Sequence, residues 1–117
     1  MERSLRLRRT RDVQHVYQEG RSWAHPLLRL VACPNGLDLS RIGVTASRRV
    51  GGAVARNRAK RLLRESARHL LSQLGSGWDV MLVARPGLPH TKQQQVEDAV
   101  AVLLEKAGLA ADREPVQ

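Results

Sequence analysis

Residues 56–68 read RNRAKRLLRESAR, and this stretch decides how the rest of the chain is read. Arranged on a helix at about 100° per residue, Asn57, Lys60, Arg61, Arg64 and Arg68 fall on one side, with Arg56 and Arg58 on its flanks. Ala55, Ala59, Leu62, Leu63, Ser66 and Leu70 fall opposite, in the i, i+3, i+4, i+7 spacing of a core-facing stripe. Most of these residues are strong helix formers, so propensity and pattern agree. The charges do not favour the helix. Like charges four residues apart repel by roughly a few tenths of a kcal/mol, and the series Arg56, Lys60, Arg64, Arg68 repeats that clash with only Glu65 nearby to relieve it. Stability alone does not select such a face; a polyanion lying along it does.

The composition agrees. The chain has 117 residues and a formal charge of +9, and nine of its twenty basic residues lie between Arg41 and Arg68. Clustering of this kind is the electrostatic footprint of nucleic-acid binding. Aromatic residues make up 3% and Phe is absent, so the core must be built from Leu, Val and Ala. The length suits one domain over 1–117, with a basic arm at 1–9, frayed over its first four residues, and a loose polar tail at 109–117. Cys33 is the only cysteine, which excludes an intrachain disulfide and a cysteine-based metal site. No apolar run follows the basic start as a secretory signal requires, and none approaches the length of a membrane span. A cytoplasmic protein without a membrane partner is expected.

Along the chain, Thr10 is placed to cap a short helix over 11–19, with Val13, Val16 and Tyr17 in an i, i+3, i+4 apolar stripe and Gly20 ending it. An apolar run at 27–33 and a second at 39–47, separated by Pro34-Asn35-Gly36, predict two strands paired as an antiparallel hairpin. Val50 to Val54 carries paired glycines into the long helix, predicted over 52–74; no Gly-Lys-Ser/Thr follows, which excludes a nucleotide-binding P-loop. Trp78–Ala84 is nearly all apolar and should be a central strand. Thr91 is placed to cap a last helix that runs to Ala107, with Val96, Val100, Leu103 and Leu104 inward and Gly108 at its end. The order α-β-β-α-β-α predicts an α+β sandwich, with helices packed on a small mixed sheet.

No catalytic constellation emerges. His15, His25, His69 and His90 lack ligand spacing, and Glu97 and Asp98 are adjacent and so diverge on a helix. Ser47 has no His–Asp partnership, and Cys33 sits in an apolar strand where a thiol is inert. No metal site and no catalytic side chain is assigned. Tyr17, Trp23 and Trp78 are the only stacking platforms, and Tyr17, next to the basic arm, is the best placed for a base. DNA reading by the long helix is disfavoured because no helix-turn-helix partner precedes it. A membrane-surface role is disfavoured because its apolar stripe is Ala and Leu without aromatics.

The run from Arg41 to Glu65, RIGVTASRRVGGAVARNRAKRLLRE, closely resembles the bacterial ribonuclease P protein subunit, whose signature carries Arg-Asn-Arg in this setting. Val16-Tyr17-Gln18-Glu19-Gly20-Arg21 and Asp79–Pro86 are similar to the family too, and the likeness covers about residues 5–107. The resemblance implies a sandwich with a left-handed βαβ crossover, of the kind seen in a ribosomal-protein domain. It implies a 1:1 partnership with a catalytic RNA and removal of the 5′ leader from precursor tRNA, an endonuclease whose Mg²⁺ and chemistry belong to the RNA. Carried over by position, Arg48, Arg49, Arg56, Asn57, Arg58, Lys60, Arg61, Arg64 and Arg68 would meet RNA, and Val13, Tyr17 and Ser47 would border a leader cleft between the first helix and the sheet. The chain departs from the family in having Val13 where Phe is usual and Gly52 where Asn is usual. Replacing Arg58 and Arg61 together by Ala is expected to weaken RNA binding and leave the fold intact. The competing reading is a general RNA-binding module, a ribosomal protein or RNA chaperone with no part in cleavage.

Overall fold

Val80, Met81 and Leu82 are buried on both faces of their strand, and the sheet is built around them. The computed structural model describes residues 5–109. In chain order the elements are α1 (Thr10–Glu19), β1 (Arg21–Ala24), β2 (Leu28–Pro34), β3 (Arg41–Thr45), α2 (Ala53–Leu70), β4 (Trp78–Ala84) and α3 (Gln93–Ala107). Short 3₁₀ turns occupy Arg48–Val50, Leu71–Gln73 and Leu88–His90. The fold is α+β, as the pattern predicts, with a mixed sheet in the order β1-β2-β4-β3.

The predicted hairpin of residues 27–33 with 39–47 does not form. β2 pairs antiparallel with β1 on one side and β4 on the other, while β3 pairs parallel with β4. One strand escaped the sequence reading. β1 is four residues long and mostly exposed, with little alternation to reveal it. β4, arriving later in the sequence, is apolar on both faces and takes the interior position between β2 and β3, where burial is greatest.

The two sheet faces carry different layers. Leu28, Leu30, Ala32, Ile42, Val80 and Leu82 meet α2 and α3 in the main core. Val31, Cys33 and Met81 face the other way, under α1, where Val16 and Leu7 close a smaller cluster. Ala59, Leu62, Leu63 and Ser66 of α2 are buried as predicted, joined by Ala67; Ala55 and Leu70 are half-buried. The helix gives way to a 3₁₀ turn at Leu71 and so is shorter than expected.

Caps differ from the expectation as well. Thr10 is the first residue of α1, with Arg9 at the cap position and no side-chain bond there. Gly20 does end α1, through its N–H to Val16 O, but its backbone is extended. Glycine is needed there because a β-carbon would collide with the Val16 and Ala32 carbonyls. Thr91 bonds Leu88 O through its hydroxyl; Lys92 caps α3, and Gln95 Oε1 accepts the Lys92 N–H at 2.9 Å. Gly108 closes α3 in the left-handed region at φ 72°, with N–H bonds from Gly108 to Glu105 O and from Leu109 to Leu104 O. Leu109, expected in a loose tail, is buried in the main core; residues 110–117 and 1–4 lie outside the described chain.

One charged group is buried in this apolar frame. Asp79 on β4 accepts both Nε (2.9 Å) and Nη2 (2.7 Å) of Arg41 on β3, and Asn35 Nδ2 adds a bond of 2.9 Å. Arg41 Nη1 also reaches Asp12 in the first turn of α1 at 3.4 Å. The hydrogen bonds to Asp79 raise the Arg41 pKa above its usual value, against the opposing effect of burial. Arg41 thus belongs to the scaffold, although it stands within the basic segment. Arg41→Ala strands a buried carboxylate and is expected to lower unfolding free energy by about 3 kcal/mol. Urea denaturation checks this, and a loss below about 1 kcal/mol would show that Asn35 and solvent satisfy Asp79 without the arginine.

Candidate RNA interface

Ser47 Oγ accepts the Arg49 N–H at 3.3 Å and starts the turn over 48–50. Val50 anchors that turn in the core, leaving Ser47, Arg48 and Arg49 exposed. Gly51, at φ 143°, then swings the chain into α2 through a conformation that side chains disfavour. Gly52 takes the cap position with no side chain to offer. Because α2 buries the side bearing Leu62, Leu63 and Ser66, its outer side projects the cations away from the sheet. Asn57, Arg58, Arg61, Arg64 and Arg68 are exposed, and Arg56 and Lys60 half-buried.

These residues are not equivalent. Arg58 donates from Nε to Pro89 O at 2.6 Å and from Nη2 to Thr91 O at 3.2 Å, tying α2 to the turn before α3. Arg68 pairs with Glu65, whose carboxyl it holds below the usual carboxylate range, chiefly through this hydrogen bond. Glu65 also meets His69 Nε2 at 3.1 Å, and His69 Nδ1 meets Glu97 of α3 at 2.6 Å. Arg56 Nε is enclosed with no hydrogen-bond partner among the described residues. Arg48, Arg49, Lys60, Arg61 and Arg64 make no side-chain hydrogen bond or ion pair among the described residues.

On the opposite face, α1 covers only part of the sheet. Val13 packs half-buried against the small cluster, and Tyr17 stays 41% exposed. Tyr17 lies close enough to Arg29 for that charge to offset part of the rise in its pKa that burial causes. Strand register sets Ala24, Arg29, Val83 and Thr45 in one row across all four strands. Residues two apart share a face, so the row lies on the side of Val31, Met81 and Gly43. It is an uncovered strip beside α1, half-buried at Arg29, Val83 and Thr45. The sequence singled out Tyr17 here but missed Arg29, Thr45 and Val83, whose common row depends on the order of the strands. Trp23 and Trp78 pack against the main core.

The profile of the Ribonuclease P family matches residues 1–108. The chain belongs to that family. The ribonuclease P protein component of Herpetosiphon aurantiacus is 42% identical over 114 residues, covering 97% of this chain and 93% of the relative. That of Roseiflexus castenholzii is 41% identical, covering 93% and 90%. Among solved structures, the RNase P protein of Staphylococcus aureus superposes with a TM-score of 0.80 at 27% identity, covering 90% of this chain and 96% of that one. The protein from Thermotoga maritima gives 0.77 at 30% identity, covering 86% and 96%. The ribonuclease P reading of residues 41–65 therefore stands, and with it a place in the endoribonuclease that matures tRNA 5′ ends. No helix among the described residues is long and apolar enough to cross a membrane.

Arg58 changes one expectation. With two donors held by backbone carbonyls, Arg58→Ala is expected to lower stability by about 1–2 kcal/mol. Arg61→Ala should stay within about 0.5 kcal/mol of the parent chain. Denaturant midpoints of the two single variants check this, and the earlier double substitution would confuse a loss of fold with a loss of contact.

Proposed function

We propose that this chain binds the ribonuclease P RNA through the outer face of α2 and the 47–49 turn, and holds the 5′ leader of precursor tRNA in the strip beside α1. The observation that carries the reading is the set of cations that the scaffold does not use: Arg48, Arg49, Lys60, Arg61 and Arg64. Guanidinium groups suit phosphates because their planar donors engage two oxygens at once. Arg56, Asn57, Arg58 and Arg68 border the same face and supply their remaining donors.

The strip offers a different chemistry. The row across the four strands carries one charge, Arg29, with Tyr17 on its margin as a platform for a base. Single-stranded RNA suits such a surface, since its bases are free to stack and its phosphates need few counter-charges. Val13 packs beneath α1, so Tyr17 and Arg29 take the greater share of leader contact, and Ser47 acts by shaping the turn beside it.

Magnesium is assigned to the RNA and its substrate, where it would supply activation of water for phosphodiester hydrolysis. The acidic groups near the interface are engaged by cations, Glu65 by Arg68 and Asp79 by Arg41. No three His, Cys, Asp or Glu among the described residues converge on a metal site. The protein's share is to position RNA and substrate and to screen their mutual repulsion. A 1:1 complex working in the cytoplasm fits these roles.

Reconstitution tests the proposal. Added to a bacterial ribonuclease P RNA at low Mg²⁺, the chain should stimulate cleavage at the mature 5′ end. Tight, salt-sensitive binding without stimulation would favour a general RNA-binding module. Tyr17→Ala should weaken binding of leader-bearing precursor by about 1–3 kcal/mol and leave leaderless tRNA unchanged. Equal effects on both substrates would remove Tyr17 from the leader path.

A further inference from the structure

The edge of the sheet at β3 holds a second concavity, separate from the leader strip. Residues before α1 run alongside β3, joined to it by the Leu7 N–H to Ile42 O bond of 3.0 Å and a parallel bridge between Arg6 and Ile42. They pass so close that a β-carbon on Gly43 would lie 2.6 Å from Met81 Sδ and 2.5 Å from Leu7 O. Leu7 is buried in the small cluster under α1. In extended chain, neighbouring side chains alternate sides. Arg6 and Arg8 are therefore turned to the other side of the sheet, towards α2.

There they meet the cationic face of the helix. A cleft of about 520 Å³ separates the two, with Arg6 and Arg8 on one wall and, on the other, Arg61, Arg64 and Glu65, whose carboxylate is held by Arg68. Its floor includes Ile42 and Val44, which belong to the main-core face of β3 at the point where α2 does not cover the edge strand. Arg6, Arg8, Arg61 and Arg64 are exposed, and none makes a side-chain hydrogen bond or ion pair among the described residues. A rail that contacts phosphates alone needs neither concavity nor an apolar floor. A nucleotide needs both, because it joins an anion to a flat, weakly polar ring.

Resting on the ribonuclease P reading above, we infer that this cleft holds one unpaired nucleotide of the catalytic RNA. Its phosphate lies between the arm and α2, and its base lies on Ile42 and Val44. Guanidinium planes from the walls stack on the base faces, the role that aromatic rings play elsewhere. The arm and the helix then form two jaws of a single site, and Arg6 and Arg8 are RNA-binding residues beyond the Arg-Asn-Arg helix.

The test uses the full chain with ribonuclease P RNA. Arg6→Ala with Arg8→Ala should lower the slope of log affinity against log salt by about one, and binding about fivefold at 0.15 M salt, as loss of the arm's hold on that one phosphate requires. An unchanged slope overturns the proposal. Cys33 is buried and its thiol pKa is raised, first by burial, so Arg8→Cys can be labelled selectively with a photoactivatable azidophenacyl group. Cross-links confined to one or two adjacent unpaired nucleotides of the catalytic RNA support the cleft as a nucleotide site. Cross-links scattered along duplex backbone, or falling on the precursor leader, overturn it. Cleavage stimulation by the unsubstituted chain is scored in the same preparation. Stimulation with scattered cross-links removes the nucleotide site alone, whereas absence of stimulation removes the ribonuclease P reading on which it rests.

Discussion

The ion pair of Arg41 with Asp79 fixes more of this molecule than any other single interaction. Asp79 is almost wholly enclosed, and the carboxylate can be tolerated there only because a two-pronged guanidinium and the Asn35 amide satisfy it. A slip of one residue between β3 and β4 would leave both charges unpaired in an apolar sheet. The pair therefore sets the parallel register, and through Asp12 it also fixes the start of α1 over the sheet. Register then determines which residues share a row, and so places Arg29, Val83 and Thr45 together beside Tyr17.

Much of this was readable from residues alone. The α2 stripe and the apolar run of β4 are strong periodic signals, and both appear where they were expected. The sheet order was not readable, because pairing preferences among short apolar strands differ little and depend on which of them is buried on both faces. The same gap hid the strip beside α1, whose members are far apart in sequence and become neighbours only across β4. Caps were misplaced at Thr10 and Thr91 for a local reason. Both residues have the right chemistry, but one lies inside its helix and the other bonds back to Leu88. The family signature identified the basic residues without separating their tasks.

That separation is a main result of the geometry. Arg41 and Arg58 resemble their neighbours in sequence, yet one is held by a buried carboxylate and the other by two backbone carbonyls. Arg68 is partly neutralised by Glu65. The remaining cations have no such partners on the described chain, and their mutual repulsion is a standing strain that a polyanion relieves. Fold and ligand thus draw on the same residue type in adjacent turns of one helix, and only the partner atoms distinguish the two uses.

The sheet order also has a consequence for how the chain is made. β2 and β3 are both synthesised before α2, yet neither pairs with the other; each waits for β4. Until Ala84 has been joined to the nascent chain, both strands present open edges, and the only complete strand pairing available is that of β2 with the short β1. Vectorial synthesis therefore cannot build this domain layer by layer. Its central sheet cannot be completed before β4 has been made, when the precursor is already long and strongly cationic.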